Sequence, residues 1–516
     1  MPPIFAKTLA ADHVTPVRAY AALRSHAPER SSFLLESVHP GERWGRYSII
    51  GNRAAKESLY PPFPRSMESL AADFKPEEMP ELVETGSPFT DTERFAAQLT
   101  QALVGYVAYD AVNVEHRTEH WPDVGPLARM MRDSTIVVFD NLKQTVTIAA
   151  RSKGMIARCE WEMTHGPDLW PLPAPDPKAA PDHVDVSLDD ATFMAKIETA
   201  KDYIKAGDAF QVVLARTFSA GLQGADPFDV YRALRVLSPS PYLFYVDFAT
   251  TQVAPGMTIA GASPETLVRL QNGVMTLRPI AGTRPRGGSD AEDQRLADEL
   301  LADPKERAEH TMLIDLARND VGRVCAPGTV ELTANMALER YSHVMHIVSE
   351  VQGKPKEGVT AAQVFQSAFP AGTLSGAPKK RATQIIRELE EQSRGVYGGA
   401  VGYVMPDGSL DFAIAIRTVV VRDGNLEVTA GAGVVEGSVP ASEAQETRNK
   451  AQAGLAAIRA AQDAVIDRRK AEERMAQRRA EKAAKEEAER AEKAAAEAKL
   501  ALASTLPGGP PKPESN

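Results

Sequence analysis

Two pairs of glutamates, each near the start of a predicted helix, are the side chains of this sequence best suited to chemistry. Glu306 and Glu309 lie in DPKERAEHTMLIDLARND, and Glu443 and Glu446 lie in SEAQETRNK, with Lys450 one turn further on. Like charges three residues apart on a helix repel by roughly 0.2–0.5 kcal/mol. One such pair alone is also typical of a solvated helix start, where the helix dipole favours carboxylates. Two pairs together supply the hard oxygen ligands that Mg²⁺ prefers, and they predict a metal site.

Other polar residues could take part in chemistry, although each also has an ordinary structural explanation. Glu265 follows a turn proline in GASPETL, and Arg417 is a lone cation in the apolar segment DFAIAIRTVV. A buried arginine requires a bidentate partner, which can be an internal carboxylate or the carboxylate of a substrate. His343 and His346 lie in an apolar, strand-like segment, where a histidine is usually structural.

Glycine-rich turns favour an anionic ligand other than a nucleotide. The loop FPAGTLSGAPKK presents Thr373 and backbone N–H groups ahead of a helix predicted to begin at Ala377 and Pro378, an arrangement that receives anions. Neither this loop nor GAGVVEG at 431–437 matches the phosphate-binding or dinucleotide-binding patterns. The sequence also lacks GxSxG, HExxH and catalytic-cysteine signatures. Nucleotide binding is therefore not expected, and binding of a carboxylate is the open alternative.

The composition indicates a large globular protein, which we expect to be cytoplasmic. The 516 residues are 43% hydrophobic and 25% charged, with a net charge of −10, so we expect several domains and no nucleic-acid partner. Two cysteines without CxxC spacing favour a reducing compartment over a disulfide framework. We expect no membrane partner, because the sequence has neither a signal peptide nor an apolar run long enough to span a membrane.

The pattern along the chain predicts an α+β fold. Residues 1–165 mix short strands with turns, a proline-rich linker occupies 166–187, and strands and helices interleave over 188–462. Strands outnumber the helices between them, and several adjoin through short turns such as Asp407-Gly408, which favours antiparallel sheets. The predicted helices are 191–206, 226–236, 289–302, 304–318, 360–368, 377–393 and 442–463, the last with a capping box of Ser442 and Gln445.

The region 463–516 is rich in alanine, lysine, arginine and glutamate. Its Glu-to-Lys and Glu-to-Arg pairs, four residues apart, support an exposed helix. Because apolar heptads are missing, we expect a solvated, partly formed helix and no stable coiled coil. The final PGGPPKPESN is predicted to be disordered.

Through ten motifs in the same order, the sequence resembles the chorismate-utilising enzymes, and in particular the large subunits (component I) of anthranilate synthases. The resemblance extends to about residue 462 and implies antiparallel β-sheets forming a sandwich flanked by helices. It also implies that residues 1–165 are a regulatory region packed on a catalytic domain at 188–462. The motifs are LLES (34–37), FQVVLAR (210–216), SPSPYLFY (238–245), GASPE (261–265), RPIAGTRPRG (278–287), DPKERAEHTMLIDLARNDVGRV (303–324), HVMHIVSEV (343–351), FPAGTLSGAPK (369–379), AIRT (415–418) and GAGVVEGSVPASEAQET (431–447).

The resemblance assigns the acidic pairs to Mg²⁺ and to the ring carboxylate of chorismate. Glu309 and Glu446 would be the direct metal ligands, with Glu306 and Glu443 beside them. Glu265 would protonate the departing C4 hydroxyl group, a role that requires a raised pKa.

The resemblance also implies the remaining substrate contacts. His346 would assist proton transfer near C2 when pyruvate is eliminated. The enolpyruvyl carboxylate and the rest of the substrate shell would be held by Arg417, Tyr397, the backbone of Gly431 and Gly433, Thr373 and Lys450.

Two positions distinguish this chain from similar enzymes of the family. Salicylate and isochorismate synthases carry a water-activating lysine where this sequence has Gln211. Aminodeoxychorismate synthases carry a lysine that participates covalently where this sequence has Ala281. Both positions favour ammonia as the nucleophile and anthranilate with pyruvate as the products. Because the chain has no glutaminase signature, the resemblance implies a separate glutamine amidotransferase subunit, and hence a hetero-oligomer.

The family also has a feedback site for tryptophan, formed by the LLES and PSPYLFY segments. Carried over to this chain, its residues are Glu36, Ser37, Pro241, Tyr242 and Leu243. Leu243 replaces the methionine that is common in the family, an apolar exchange of similar volume. An ordinary buried strand end is the alternative explanation of LLES.

Two alternative functions remain open at the level of sequence. An aminodeoxychorismate synthase of the folate pathway would form a different product from chorismate. A non-catalytic regulator that binds chorismate or an amino acid would have kept the fold without the activity, although the intact Glu265, His346 and acidic pairs speak against this.

Overall fold

The computed structural model describes residues 3–37, 45–83, 88–252, 254–341 and 344–504. The first part of the chain, up to Thr164, is strand-rich. Its elements are β1 (Phe5–Ala10), α1 (Pro16–Ser25), β2 (Ser32–Glu36), β3 (Tyr47–Asn52), β4 (Lys56–Tyr60), α2 (Pro64–Asp73), α3 (Asp91–Leu99), β5 (Leu103–Val107), α4 (Ala111–His116), β6 (Ala128–Arg132), β7 (Thr135–Asp140), β8 (Thr145–Ala150) and α5 (Lys153–Thr164).

Strands and helices alternate more regularly in the second part of the chain. Its first elements are β9 (Asp185–Val186), α6 (Asp190–Lys205), β10 (Gln211–Gly221), α7 (Pro227–Leu237), β11 (Tyr242–Phe248), β12 (Met257–Ser263), β13 (Thr266–Gln271), β14 (Val274–Leu277), β15 (Ile280–Pro285), α8 (Asp290–Ala302) and α9 (Pro304–Val324). There follow β16 (Glu331–Arg340), β17 (Val344–Gly353), α10 (Ala361–Ala368), α11 (Gly372–Ser375), β18 (Gly376–Ala377), α12 (Lys379–Leu389), β19 (Ala400–Val404), β20 (Leu410–Ile414), β21 (Thr418–Arg422), β22 (Asn425–Val434) and α13 (Pro440–Ser504).

These strands form two large antiparallel sheets. The first has the order β1-β8-β7-β3-β2-β11-β12-β21-β22-β10-β18, with β9 paired to β10. The second has the order β15-β17-β14-β13-β20-β19-β5-β6-β4, with β16 paired to β17. The predicted α+β class with antiparallel sheets is confirmed.

A shared apolar cluster joins the two sheets. Strands of the first sheet supply Val138, Phe244 and Ile259, and strands of the second supply Val104 and Val401. Such strands are rich in β-branched and aromatic residues that pack well on a pleated surface. The sheets therefore face each other as a sandwich.

Helices cover the second sheet and form a larger apolar cluster with it. Five helices contribute residues that pack in this cluster with Phe412 of β20; these include Leu70 of α2, Phe193 of α6, Ile314 of α9, Phe365 of α10 and Ile386 of α12. The apolar run after the first acidic pair thus anchors α9 in the core, because Leu313 and Ile314 are buried.

Local sequence explains why α9 begins where it does. Asp303 caps the helix, and its carboxylate accepts hydrogen bonds from the backbone N–H groups of Lys305 and Glu306. Pro304 occupies the first helical position, where its missing N–H costs nothing. Glu306 and Glu309 consequently lie in the first two turns of a firmly started helix.

The last helix, α13, is longer than the sequence pattern predicts. It begins at Pro440, so the predicted capping box at Ser442 and Gln445 is wrong, because both residues are already helical. It continues to Ser504, since neither glycine nor proline interrupts the chain from Leu455 to Leu506. The predicted disorder of PGGPPKPESN lies outside the described residues.

The chain divides into two compact units, Met1–Gln462 and Asp463–Asn516. Strands from both sides of the predicted 166–187 linker share the first sheet; for example, β2 pairs with β11. In the linker, the carbonyl groups of Pro177 and Ala179 accept hydrogen bonds from the Gln452 side-chain amide. The predicted division of residues 1–462 into regulatory and catalytic parts stays a prediction. Among the described residues, no helix is long and apolar enough to cross a membrane.

Candidate active site

Glu265 lies in the short connection between β12 and β13, where the two sheets meet. Its carbonyl oxygen accepts a hydrogen bond from the backbone N–H of Ile414 at 3.0 Å, which fixes its backbone against β20. Its side chain is buried, and Oε1 accepts a hydrogen bond from the Thr373 hydroxyl at 3.1 Å. Burial raises the pKa of Glu265 to about 7, opposed by the Thr373 hydrogen bond and the charge of Lys450. A carboxyl group with this pKa can act as a general acid near neutral pH.

The two acidic pairs come together although they are separated by more than a hundred residues in sequence. Burial raises the pKa of Glu309, and the charges of Glu306 and Glu446 raise it further. Burial likewise raises the pKa of Glu443, and Glu446 adds to the effect. Helices α9 and α13 thus bring the two pairs together, with Glu446 acting on both Glu309 and Glu443.

Two lysines supply positive charge to this carboxylate group. Lys450 Nζ lies 2.6 Å from Glu446 Oε1 and 3.0 Å from the carbonyl oxygen of Gly431. The charge of Lys305 lowers the pKa values of both Glu309 and Glu443. The pKa values of Glu309 and Glu443 stay raised nevertheless, so the lysines do not fully compensate for burial and mutual repulsion.

The donor set fits a divalent cation such as Mg²⁺. Carboxylate oxygens are the ligands that Mg²⁺ accepts, with water completing its coordination. The pKa values of Glu309 and Glu443 are raised first by burial and then by neighbouring carboxylates, which is typical of acidic side chains that lack sufficient positive charge. Within the described ranges, no group of three or more His, Cys, Asp or Glu side chains is already arranged as a metal cluster. The carboxylates are therefore gathered around a common region without forming a closed ligand shell.

Tyr397, Arg417 and the glycines of β22 form a second part of the site. The hydroxyl of Tyr397 takes a backbone hydrogen bond from Gly431, and a Cβ atom on Gly431 would lie 2.7 Å from that oxygen. The charge of Arg417 acts on both Tyr397 and His346. Burial lowers the pKa of Arg417, and the nearby Tyr397 and Glu446 oppose this.

Arg417 also adopts an unusual backbone conformation. Its φ angle is +51°, in the left-handed region that non-glycine residues rarely occupy. Residues with such strained backbones cluster at functional sites. A half-buried guanidinium held in this way can bind a carboxylate.

Gln211 begins β10 beside Gly433. The Gln211 side chain is buried, and a Cβ atom on Gly433 would lie 2.6 Å from its Nε2 atom. Glycine at 433 therefore leaves the space that the amide of Gln211 occupies. The structure places both residues at the edge of the region around Gly431.

His346 lies in β17 with its ring half-buried. Its Nδ1 atom is 3.2 Å from the carbonyl oxygen of Gly282 and 3.1 Å from the Thr283 hydroxyl. Burial lowers its pKa, and the charge of Arg417 lowers it as well, so the imidazole is neutral near pH 7. A Cβ atom on Gly282 would lie 3.2 Å from Glu306 Oε2, so Gly282 has His346 and Glu306 as neighbours. The other histidine of this segment, His343, lies outside the described residues.

Sequence reasoning missed several supporting residues. Arg284 pairs with Asp303 at 3.0 Å and with Glu306 at 3.5 Å. Arg394 is buried with Glu390, and its guanidinium lies 5.8 Å from the centre of the Tyr397 ring. Two features of the sequence could have indicated them. Arg284 is the first arginine of RPRG, and Glu390 and Arg394 lie four residues apart in EEQSR. Ion pairs on a helix surface have the same four-residue spacing.

The predicted inhibitor residues lie together at a second location. A cavity of about 1070 Å³ is lined by all five of them, namely Glu36, Ser37, Pro241, Tyr242 and Leu243. They meet because β2 pairs with β11, with Glu36 opposite Leu243. The Glu36 carboxylate accepts hydrogen bonds from the Tyr231 hydroxyl at 2.7 Å and from the Arg235 guanidinium at 3.2 Å. The cavity is large enough to hold a small molecule.

Comparison with known proteins agrees with this geometry. Residues 64–456, which are more than half of the chain, match the family model described as chorismate binding enzyme. The anthranilate synthase component 1 of Acinetobacter calcoaceticus is 41% identical over 495 residues, covering 90% of this chain and 96% of that protein.

Solved structures show the same fold. Anthranilate synthase component I from Streptococcus pneumoniae has a TM-score of 0.68 at 33% identity, covering 81% of this chain and 94% of that chain. The menaquinone-specific isochorismate synthase of Escherichia coli has a TM-score of 0.65 at 18% identity, covering 89% and 95%, and shows the fold alone. The resemblance inferred from the sequence motifs is confirmed: the chain is an enzyme of the chorismate-binding family.

Proposed function

We propose that this chain converts chorismate and ammonia into anthranilate, pyruvate and water. The observation that carries the proposal is the buried Glu265, whose pKa is raised to about 7 beside the Thr373 hydroxyl. This carboxyl group can protonate the C4 hydroxyl of chorismate, which then leaves as water. Ammonia adds at C2 as the ring double bonds shift.

The second half of the reaction releases pyruvate. The C2–H bond breaks, its electron pair enters the ring, and the bond between C3 and the enolpyruvyl oxygen breaks. His346 would take the proton; its lowered pKa, which leaves the ring neutral near pH 7, supports this role. The departing enolate takes up a proton to become pyruvate, and the ring becomes aromatic.

Two positions support ammonia over water as the nucleophile. The resemblance places Gln211 and Ala281 where similar enzymes carry a water-activating lysine and a covalently reacting lysine, respectively. An amide is too weak a base to activate water, and alanine cannot form a covalent bond to the ring. The curated relative from Acinetobacter calcoaceticus is named anthranilate synthase component 1, in agreement with this choice.

The carboxylate group of α9 and α13 would hold Mg²⁺ in this reaction. Glu309 and Glu446 would contact the cation, with Glu306 and Glu443 around it. When bound, Mg²⁺ neutralises the acidic site and orients the ring carboxylate of the substrate. Arg417, Tyr397 and the backbone of Gly431 and Gly433 would hold the enolpyruvyl carboxylate, and Lys450 would complete the shell.

We assign the supply of ammonia to a separate glutamine amidotransferase subunit. The relatives are named as a first component, and that name supports a partner that is a second component. The assembly would then be a hetero-oligomer. The isolated chain would use ammonium salts and not glutamine.

The 1070 Å³ cavity between the sheets is proposed to bind tryptophan as a feedback inhibitor. Its lining offers the Glu36 carboxylate for an amino group and the Ser37 hydroxyl as a hydrogen-bond partner. The Ser37 oxygen is buried and has no hydrogen-bond partner among the described residues. Buried polar atoms of this kind are uncommon unless a ligand or water satisfies them.

A single assay tests the proposal. The purified chain is incubated with chorismate, Mg²⁺ and ammonium at mildly alkaline pH, while anthranilate fluorescence and pyruvate are followed. We expect both products in equal amounts, with no product when glutamine replaces ammonium. Absence of pyruvate would overturn the synthase proposal, and turnover with glutamine alone would overturn the separate amidotransferase.

A further inference from the structure

Tyr341, which follows the last residue of β16, packs against the His346 ring. The two ring centres are 5.7 Å apart, and the ring planes meet at 61°, an edge-on contact. The backbone N–H of Tyr341 donates to the carbonyl oxygen of Val344 at 2.8 Å. The tyrosine is therefore fixed at the start of the strand that carries His346.

The Tyr341 hydroxyl is tied to a second side chain. It donates a hydrogen bond to Glu339 Oε2 at 2.8 Å. The other oxygen of Glu339 accepts a hydrogen bond from the buried guanidinium of Arg278. Tyr341 and Arg278 together fix the Glu339 carboxylate.

Glu339 lies directly opposite His346 in the antiparallel pairing of β16 with β17. Side chains at such positions are direct neighbours on one face of a sheet. A carboxylate so placed would ordinarily pair with the imidazole and raise its pKa. Here its two oxygens are hydrogen-bonded to Tyr341 and Arg278, and its charge raises the pKa of His346 less than burial lowers it.

The imidazole is left with a defined proton arrangement. Its hydrogen-bond contacts with the described residues are made by Nδ1, to the Gly282 carbonyl and the Thr283 hydroxyl. A carbonyl oxygen can only accept, so Nδ1 carries the proton and Nε2 keeps its lone pair. Nε2 is then the atom able to take a proton.

We propose that Tyr341 is a positioning residue for His346, which orients the imidazole with its ring and keeps Glu339 away with its hydroxyl. This inference rests on the proposed function, because it concerns the step in which the C2 proton is removed and pyruvate leaves. We expect the addition of ammonia not to depend on Tyr341, because that step is assigned to Glu265, whose hydroxyl partner is Thr373.

The test separates the two halves of the reaction. The full-length Tyr341→Leu variant is given chorismate, Mg²⁺ and ammonium, and both chorismate consumed and pyruvate released are measured. Misplacing a catalytic group by about 1 Å can cost about 100-fold in rate. We expect pyruvate release to slow by about 10- to 100-fold while chorismate is still consumed. The aminated ring that retains its enolpyruvyl group should accumulate and be detected by chromatography.

A milder variant of Tyr341 and a control at another tyrosine distinguish the positioning role from a folding defect. Tyr341→Phe keeps the ring and loses only the bond to Glu339, so pyruvate release per chorismate consumed should fall by a few-fold. Tyr203→Phe is the matched control, because its hydroxyl makes an equivalent bond to Glu388 at 2.7 Å on the protein surface. The control should leave the product ratio unchanged.

The outcomes distinguish this inference from the proposed function. If wild-type protein releases no anthranilate, the proposed function fails, and with it this inference. If wild-type protein is active but both Tyr341 variants release one pyruvate per chorismate, the positioning role is wrong. A loss of rate with an unchanged product ratio would also overturn it, since that is the result of a merely structural residue.

Discussion

The four glutamates of α9 and α13 and the cavity between the two sheets differ in how far their charged side chains are paired. In the first, burial and mutual repulsion raise the pKa values of Glu309 and Glu443, and two lysines compensate only in part. In the second, Glu36 is paired with Arg235, and Asp411 is paired with Arg269 and accepts a hydrogen bond from Tyr242. Among the described residues that line the cavity, the buried polar atom without a hydrogen-bond partner is the neutral hydroxyl of Ser37.

This difference indicates what each region can bind. A group of carboxylates with too little positive charge attracts a cation. The bound cation offsets the repulsion between the carboxylates. A cavity whose charges are already paired can accept a neutral or zwitterionic molecule without rearranging its ion pairs. Substitutions in the two regions should therefore affect different measurements, and the predictions below compare them in order of decreasing effect.

Glu265→Gln should have the largest effect. Glutamine keeps the size of the side chain but cannot donate a proton to the C4 hydroxyl, and loss of general acid catalysis costs about 10²- to 10⁴-fold. Anthranilate formation from ammonium should fall by that factor. Tryptophan binding to the same variant, measured by calorimetry, should be unchanged. A variant with near-normal activity would remove Glu265 from the mechanism.

Glu309→Gln should have the next largest effect, which is a loss of affinity for Mg²⁺. We expect the affinity for Mg²⁺, measured by calorimetry on the full chain, to fall by at least the roughly 10- to 100-fold typical of residues that support a metal ligand. Activity should be lost while the melting temperature is maintained or raised, because repulsion with Glu306 and Glu446 is relieved.

The control for this variant is Glu198→Gln, which removes an exposed carboxylate that lies beside Lys201 on α6. It should change neither Mg²⁺ affinity nor activity. Near-normal activity of Glu309→Gln would show that the metal assignment is wrong.

Much of the fold could be predicted from the sequence, because its strands and helices follow local patterns. The strand β7, TIVVFD, is fully buried and rich in β-branched residues. Boundaries were less accurate: α9 was predicted to end at 318 but continues to Val324, since Val321 is buried and extends the apolar face. The start of α12 was placed at Ala377, but the helix begins at Lys379, after the short strand β18.

The two glutamate pairs alone predict a metal site, but the rest of the sites could be predicted only through the motifs, because their residues come from distant segments. No periodicity indicates that Glu36 will lie opposite Leu243, or that α9 will meet α13. The motif resemblance named these residues, whereas Tyr341 and Glu339 escaped notice because their roles depend on the register between β16 and β17. Register is set by the whole sheet rather than by a short segment.

Ser37→Ala should have a moderate effect that is confined to the cavity. Removing one hydrogen bond to a bound ligand costs about 0.5–1.5 kcal/mol, which corresponds to about a two- to tenfold weaker inhibition by tryptophan. The rate without tryptophan should equal that of the wild type. The control is Ser25→Ala, whose hydroxyl donates to the Ala22 carbonyl on α1. If tryptophan inhibits Ser37→Ala and wild type equally, Ser37 does not contact the inhibitor.

Thr373→Val should produce the smallest and most specific effect, a shift in pH dependence. Glu265 acts as an acid only while protonated, so this step is active below its pKa of about 7 and is lost as the pH rises through that value. The Thr373 hydroxyl donates to the carboxylate and stabilises its ionised form, which lowers the pKa. Removing the hydroxyl should therefore move the alkaline limb of the rate profile to higher pH, whatever happens to the maximal rate. The measurement is kcat/KM against pH with free ammonia held constant, and a limb that stays in place or moves to lower pH would show that Thr373 does not tune Glu265.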